Sequence, residues 1–196
     1  TNIDVINEVE QGFNAGSDVN NAPTSAQALG SLAKDYKSGD DTLRLGFEVN
    51  GNISQTVAST GGGDVDVYSF KGTAGTTVWF DIDRTSQALD SVVELVDANG
   101  AVIARSDNSL AEQSNPASII TQNNALGQPI AKPMQVGYAG GSGPFSNPDY
   151  FSINTLNAGM RVELPGSVGT SQTYYVRVPA SNTNLPGNPL TAGLTK

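Results

Sequence analysis

The sequence predicts an all-β fold, an antiparallel β-sandwich carrying one long loop excursion. From Leu43 onward, short stretches alternate apolar with polar or small residues at the period of two expected of a strand. Glycine- and asparagine-rich steps that favour turns punctuate them. Apolar residues make up only 37% of the chain and charged ones 15%, with 22 glycines and 10 prolines. That mixture suits many short strands and loops better than helices.

The segment from Thr1 to Asp41 is polar and reads as an entry segment. Within it, Ser25–Lys34 has room for one or two helical turns, but Gly30 interrupts them. Leu43–Val49 alternates Leu43, Leu45, Phe47 and Val49, and an Asn50-Gly51 turn leads into Gly51–Val57. Gly61, Gly62 and Gly63 then form a turn before the strand Asp64–Phe70. Next comes the strand Thr76–Asp83, with Val78, Phe80 and Ile82 on one face. Ser91–Asp97 and Ala101–Arg105 flank a turn at Ala98–Gly100, in which Asp97 and Asn99 are expected to bond nearby backbone. From Asp107 to Pro148 the alternation stops. This stretch reads as a functional or mobile loop, with Tyr138 and Phe145 as aromatic tips. Alternation returns at Tyr150–Ile153, Met160–Leu164 and Gln172–Pro179. In the last of these, Tyr174, Val176 and Val178 face the core, as Tyr68 and Phe70 do, and Tyr175 and Arg177 face away. The tail from Ala180 reads as loop. At 196 residues the chain is expected to be a single domain with a core of its own.

Composition excludes several functions. The net charge of −9 repels phosphate backbones, so nucleic acid is not an expected partner. No apolar run is long enough for membrane insertion as a helix. With no His and no Cys, neither imidazole- or thiolate-ligated zinc or copper sites nor Ser-His-Asp or Cys-His catalysis can form. Only oxygen ligands remain, and these select Ca²⁺ or Mg²⁺. The chain opens on Thr1 rather than Met, and is expected to be a processed form or a piece of something longer.

Several segments, in order, resemble the bacterial pre-peptidase C-terminal domain, a group that includes the collagen-binding domains of clostridial collagenases. They are Asn7-Glu8-Val9-Glu10, Asp64–Phe70 (DVDVYSF), Asp81-Ile82-Asp83, Leu89-Asp90-Ser91, Leu95–Gly100 (LVDANG), Ser106-Asp107-Asn108 and Gly169–Val178 (GTSQTYYVRV). The resemblance spans nearly the whole chain except Asp107–Pro148. It implies a jelly-roll-like sandwich of a secreted or cell-surface protein. Two features depart from the family's pattern. Gln11-Gly12-Phe13-Asn14 stands where Pro-Asn-Asn or Pro-Asn-Asp is usual, and the chain stops at Leu194-Thr195-Lys196, where a closing strand should begin.

The resemblance implies calcium held between the Glu-x-Glu entry and the Asp-x-Asp strand. Residues i and i+2 of a strand share a face, so Asp64 and Asp66 lie side by side, as Glu8 and Glu10 would in an extended segment. Asn14, Asp18, backbone carbonyls or water would complete a shell of six to eight oxygens. The other reading is that these are solvated strand-edge carboxylates. A second cation cluster is expected from Asp81, Asp83, Asp90, Asp107 and Asn108 at one end of the sandwich.

Trp79 falls on the face away from Val78 and Phe80. It either stacks on a sugar or, the favoured reading, packs beneath the long loop. Trp79, Tyr138, Tyr175 and Arg177 are the candidate ligand-binding residues for a polysaccharide or collagen-like partner. Nothing places two carboxylates across a cleft as a glycosidase requires, and the chain is not expected to be an enzyme. The expectation is a calcium-stiffened extracellular structural or adhesion module, working with neighbouring domains or other copies of itself. It would assemble into fibres by donating a strand such as Thr1–Glu8. The rival is an accessory domain of a secreted peptidase.

Overall fold

A computed structural model of the chain describes residues 3–9, 19–35, 43–53, 64–83, 85, 89–134 and 156–179. Among these are eleven strands: β1 (Ile3–Asn7), β2 (Gln27–Ser31), β3 (Gly46–Asn50), β4 (Val65–Thr73), β5 (Thr77–Asp81), β6 (Val93–Val96), β7 (Val102–Ser106), β8 (Ile120–Thr121), β9 (Ala131–Pro133), β10 (Gly159–Glu163) and β11 (Ser171–Pro179). One short helix, α1 (Ser109–Ser114), and two 3₁₀ turns, at Pro23–Ser25 and Pro116–Ser118, complete the described elements. No described helix is long and apolar enough to cross a membrane.

The strands form a six-stranded sheet in the order β2-β4-β11-β6-β7-β8, a three-stranded sheet β5-β10-β9 and a two-stranded ribbon β1-β3. The two larger sheets pack face to face. Phe70, Leu95, Tyr174 and Val176 from one meet Ala131, Met160 and Val162 from the other in a single buried cluster, with Val78 and Phe80 packed against it. The ring centroids of Phe70 and Phe80 lie 6.1 Å apart across the interface, and those of Phe70 and Tyr174 lie 5.6 Å apart within one sheet. Burial of each large side chain of this kind stabilises the fold by about 1.5–3 kcal/mol. The expected sandwich is therefore present, with Tyr68, Phe70, Tyr174, Val176 and Val178 facing inward as read.

Three local points refine the reading. As the interruption at Gly30 implies, Ser25–Lys34 forms no helix, and Gln27–Ser31 is a strand paired parallel to β4, with a bulge at Gly30. Gly30 has φ +125°, a conformation that side chains rarely adopt, and the Phe47 ring packs against it. Second, the sandwich is not wholly antiparallel, because β1–β3 and β2–β4 are parallel pairs. Third, the described part of the expected loop is built into the core. Residues 107–134 carry α1, β8 and β9, and bury Ile119, Ile130, Ala131 and Met134. These apolar residues are spaced too irregularly to show an alternation, yet each reaches the space between the sheets. Residues 54–57 of the expected second strand, Phe145, Tyr150–Ile153 and the tail from Ala180 lie outside the described residues.

Candidate functional site

The entry segment brings one acid inward. Along β1 the residues alternate between exposed and half-buried, and continuing that alternation turns Glu8 inward. Its backbone N–H donates to the Asn50 carbonyl at 3.0 Å. The Gln27 side chain brackets the same point, with Nε2 donating to the Asn7 carbonyl and Oε1 accepting from the Val9 N–H, both at 2.9 Å. Glu8 is 4% exposed. Its Oε1 accepts from the Tyr68 hydroxyl at 2.9 Å and its Oε2 from the Asn52 N–H at 2.9 Å. A Cβ on Gly51 would stand 2.9 Å from Oε2, so the bare glycine makes room for this carboxylate.

Asp64 and Asp66 approach from β4, on the face that also carries Tyr68 and Phe70. They are 4% and 1% exposed, which removes the reading of solvated strand-edge carboxylates. Burial drives the Tyr68 hydroxyl well above the ordinary phenol range, and the negative charges of Asp66, Glu8 and Asp64 drive it further. The phenol therefore stays protonated and donates to Glu8. Asn20 lies against the same strand, its carbonyl accepting from the Val67 N–H at 2.7 Å. Its side chain is fully buried, with neither amide atom hydrogen-bonded. An unsatisfied buried amide costs about 1–3 kcal/mol, so a ligand for it is a reasonable demand. Sequence reading missed Asn20 and the role of Tyr68. Glu10, Asn14 and Asp18 lie outside the described residues. Among the described residues no group of three or more acids is placed to hold a metal ion.

The second expected cluster is partly gathered. The segment 156–158 hydrogen-bonds three others: the Ile82 N–H donates to the Ala158 carbonyl (3.0 Å), Ser91 N–H to Leu156 (3.3 Å) and Ser109 N–H to Asn157 (2.9 Å). This brings the stretches carrying Asp83, Asp90, Asp107 and Asn108 to one end of the sandwich. Asp81 is exposed on the outer face of β5, with its Oδ1 directed toward Gly159. Glu112, unforeseen in the sequence, is the busiest acid here. It accepts from the Ser106 hydroxyl (2.6 Å) and from the Asp107 and Asn108 N–H groups (2.8 and 3.4 Å). Burial nevertheless pushes its carboxyl above the usual value, outweighing those bonds.

The expected ligand-binding residues separate. Trp79 is 62% exposed, and residues 135–148 of the loop expected to cover it lie outside the described residues. Arg177 is 8% exposed and its Nε donates to Glu94 Oε2 at 2.5 Å, with Arg105 on the other carboxylate oxygen at 3.3 Å. It is sealed into an ion-pair row and offers no surface for a ligand. The signal for this was a lone Glu in the apolar run Ser91–Asp97. Tyr175 is half-buried between Ser69 and Val96 of the neighbouring strands, and Tyr138 lies outside the described residues. As expected, Asp97 closes its turn, with Oδ1 accepting from the N–H groups of Asn99 and Ala101.

Comparison with known families finds one match: residues 64–128, from the start of β4 past β8, match the family model of the bacterial pre-peptidase C-terminal domain. No curated protein and no solved structure matches the chain.

Proposed function

We propose that this chain, whose residues 64–128 carry the signature of a bacterial pre-peptidase C-terminal domain, is a non-catalytic extracellular module stiffened by calcium. Domains of that family are accessory units without catalysis of their own and occur in secreted proteins. The match is consistent with an accessory C-terminal domain of a secreted peptidase. The calcium reading rests on one observation: Glu8, Asp64 and Asp66 are all buried around the Tyr68 hydroxyl.

Three carboxylates withdrawn from water repel one another, and a hard divalent cation turns that repulsion into binding energy. Glu8, Asp64 and Asp66 would supply carboxylate oxygens and Asn20 an amide oxygen. The entry segment that holds Glu10, Asn14 and Asp18 would add to them. Calcium supplies neutralising charge there. The chain's own contribution is to hold Glu8 at β4 through Tyr68, Asn52 and Gln27, so that the entry segment and the sandwich move as one body. A stiff module of this kind suits an adhesive or structural role beside neighbouring domains or other copies. Fibre formation by donation of Thr1–Glu8 would require β1 to exchange β3, its partner in the same chain, for one in another copy.

The test is a thermal melt with excess calcium and then with EGTA. At a hundredfold excess over the dissociation constant, binding stabilises the folded form by about 2.7 kcal/mol. For a chain of this size that raises the melting temperature by roughly 5–10 °C. The shift should vanish in Asp66→Asn. An unchanged melt in the wild type would overturn the calcium reading.

A further inference from the structure

The outer face of the three-stranded sheet presents an aromatic surface beside two cations. Trp79 on β5 pairs with Arg161 on β10, which pairs with Lys132 on β9. The three side chains form one row, spanning about 10 Å at the usual strand spacing. Trp79 is 62% exposed, Lys132 is exposed and Arg161 is half-buried. The Arg161 Nε donates to the Pro133 carbonyl at 2.9 Å, which fixes the guanidinium along the sheet, while Nη2 is itself buried with no acceptor among the described residues, so only the half-exposed remainder of the guanidinium faces solvent. Neither cation forms a salt bridge among the described residues. The remaining outward residues are Thr77 and Glu163 in the row on one side, and Asp81 and Gly159 in the row on the other.

We propose that this row binds a polysaccharide chain bearing uronic-acid carboxylates. An exposed indole offers a flat apolar face to the C–H face of a sugar ring, and keeping it in water has a cost that stacking would remove. Lys132 and Arg161 set two positive charges in one row beside the indole in a chain of net charge −9, with the acids Glu163 and Asp81 in the flanking rows. The complement of the two cations is an anion carried next to the stacked ring, and a uronate places a carboxylate there. The chain's overall negative charge acts weakly on such a ligand, because physiological salt screens charges beyond about 8 Å. Glu163 and Asp81, flanking the row, are placed to accept from sugar hydroxyls and hold the polymer in line. The inference does not depend on the calcium reading.

Trp79 is the chain's single tryptophan, so its fluorescence reports the site directly. The protein, in EGTA so that calcium cannot bridge acids, is titrated with a galacturonic acid hexamer, a neutral cellulose hexamer and a polyglutamate peptide. Expected is a saturable spectral shift with the galacturonate alone, weakened about tenfold or more in Lys132→Ala and by added salt. Calorimetry on Trp79→Ala, whose circular dichroism should be unchanged because most of the side chain is exposed, should show no binding. Equal binding of the neutral hexamer would overturn the role of the cations. Equal binding of polyglutamate would reduce the site to nonspecific charge, and no saturable shift with any probe would overturn the site itself.

Discussion

Two cross-strand rows, each holding two cations, lie on the outer faces of the two sheets and have opposite fates. On the six-stranded sheet Arg177, Glu94 and Arg105 run in register across β11, β6 and β7, and Glu94 is wholly buried between the guanidiniums. On the three-stranded sheet Trp79, Arg161 and Lys132 run in register across β5, β10 and β9, with no acid in the row. In the first row Glu94 accepts from both guanidiniums and ties β6 to β11 and β7, while Arg177 Nη2 stays buried with no acceptor among the described residues. In the second no acid stands between the cations, and Lys132 is exposed beside a half-buried Arg161. Residue type therefore does not mark a binding surface on a sheet. The partner across the strand does.

The largest effect expected is from breaking the closed row. Glu94→Ala leaves two buried guanidiniums facing each other and should cost about 3–5 kcal/mol in urea denaturation. Replacing Arg177, Glu94 and Arg105 together by apolar residues of similar size should be neutral or stabilising by about 1–4 kcal/mol, because all three desolvation costs go at once. The acid cluster is an intermediate case, since the Tyr68 hydroxyl, not a cation, holds Glu8. Tyr68→Phe should cost about 1–3 kcal/mol in the same assay and also shrink the calcium-dependent rise in melting temperature.

Glu112 extends the contrast to pH. It too is buried against hydroxyl and amide donors, and its folded-state pKa is raised above 4.5. A raised carboxyl binds its proton more tightly in the folded protein. Its stabilising contribution is thus present below the unfolded value and is lost as pH rises through the folded one. The wild type's stability relative to Glu112→Gln should therefore fall as pH is raised from about 4 to about 7. The smallest effect belongs to the open row, where Lys132→Ala should change stability by no more than about 0.5 kcal/mol while weakening the polyuronate.

Much of this was legible in the sequence. Asp64–Phe70, Thr76–Asp83, Ser91–Asp97, Ala101–Arg105 and Gln172–Pro179 were read as strands from their alternation, and β4–β7 and β11 lie there. The inward direction of Asp64 and Asp66 was implied too, since they share a face with Tyr68 and Phe70, already read as core. What escaped was long-range. Nothing local distinguishes a sealed Arg177 from an open Arg161, because the difference is Glu94 across the strand, 83 positions away. Asn20 carried no periodic signal, and Ile119, Ile130 and Met134 enter the core singly. Gln27–Ser31 was obscured because a strand with a glycine bulge shows no clean period.

The place of β11 has a consequence in time. It is the last described strand in sequence, yet it sits inside the six-stranded sheet, between β4 and β6. Until Ser171–Pro179 has emerged from the ribosome, β4 lacks its nine-residue partner and the two halves of that sheet have no strand between them. Pairings this distant close slowly, because the intervening chain must be gathered before any contact rewards it. The polypeptide should thus stay open while residues 1–170 are made, and close as a sandwich only when Ser171–Pro179 arrives.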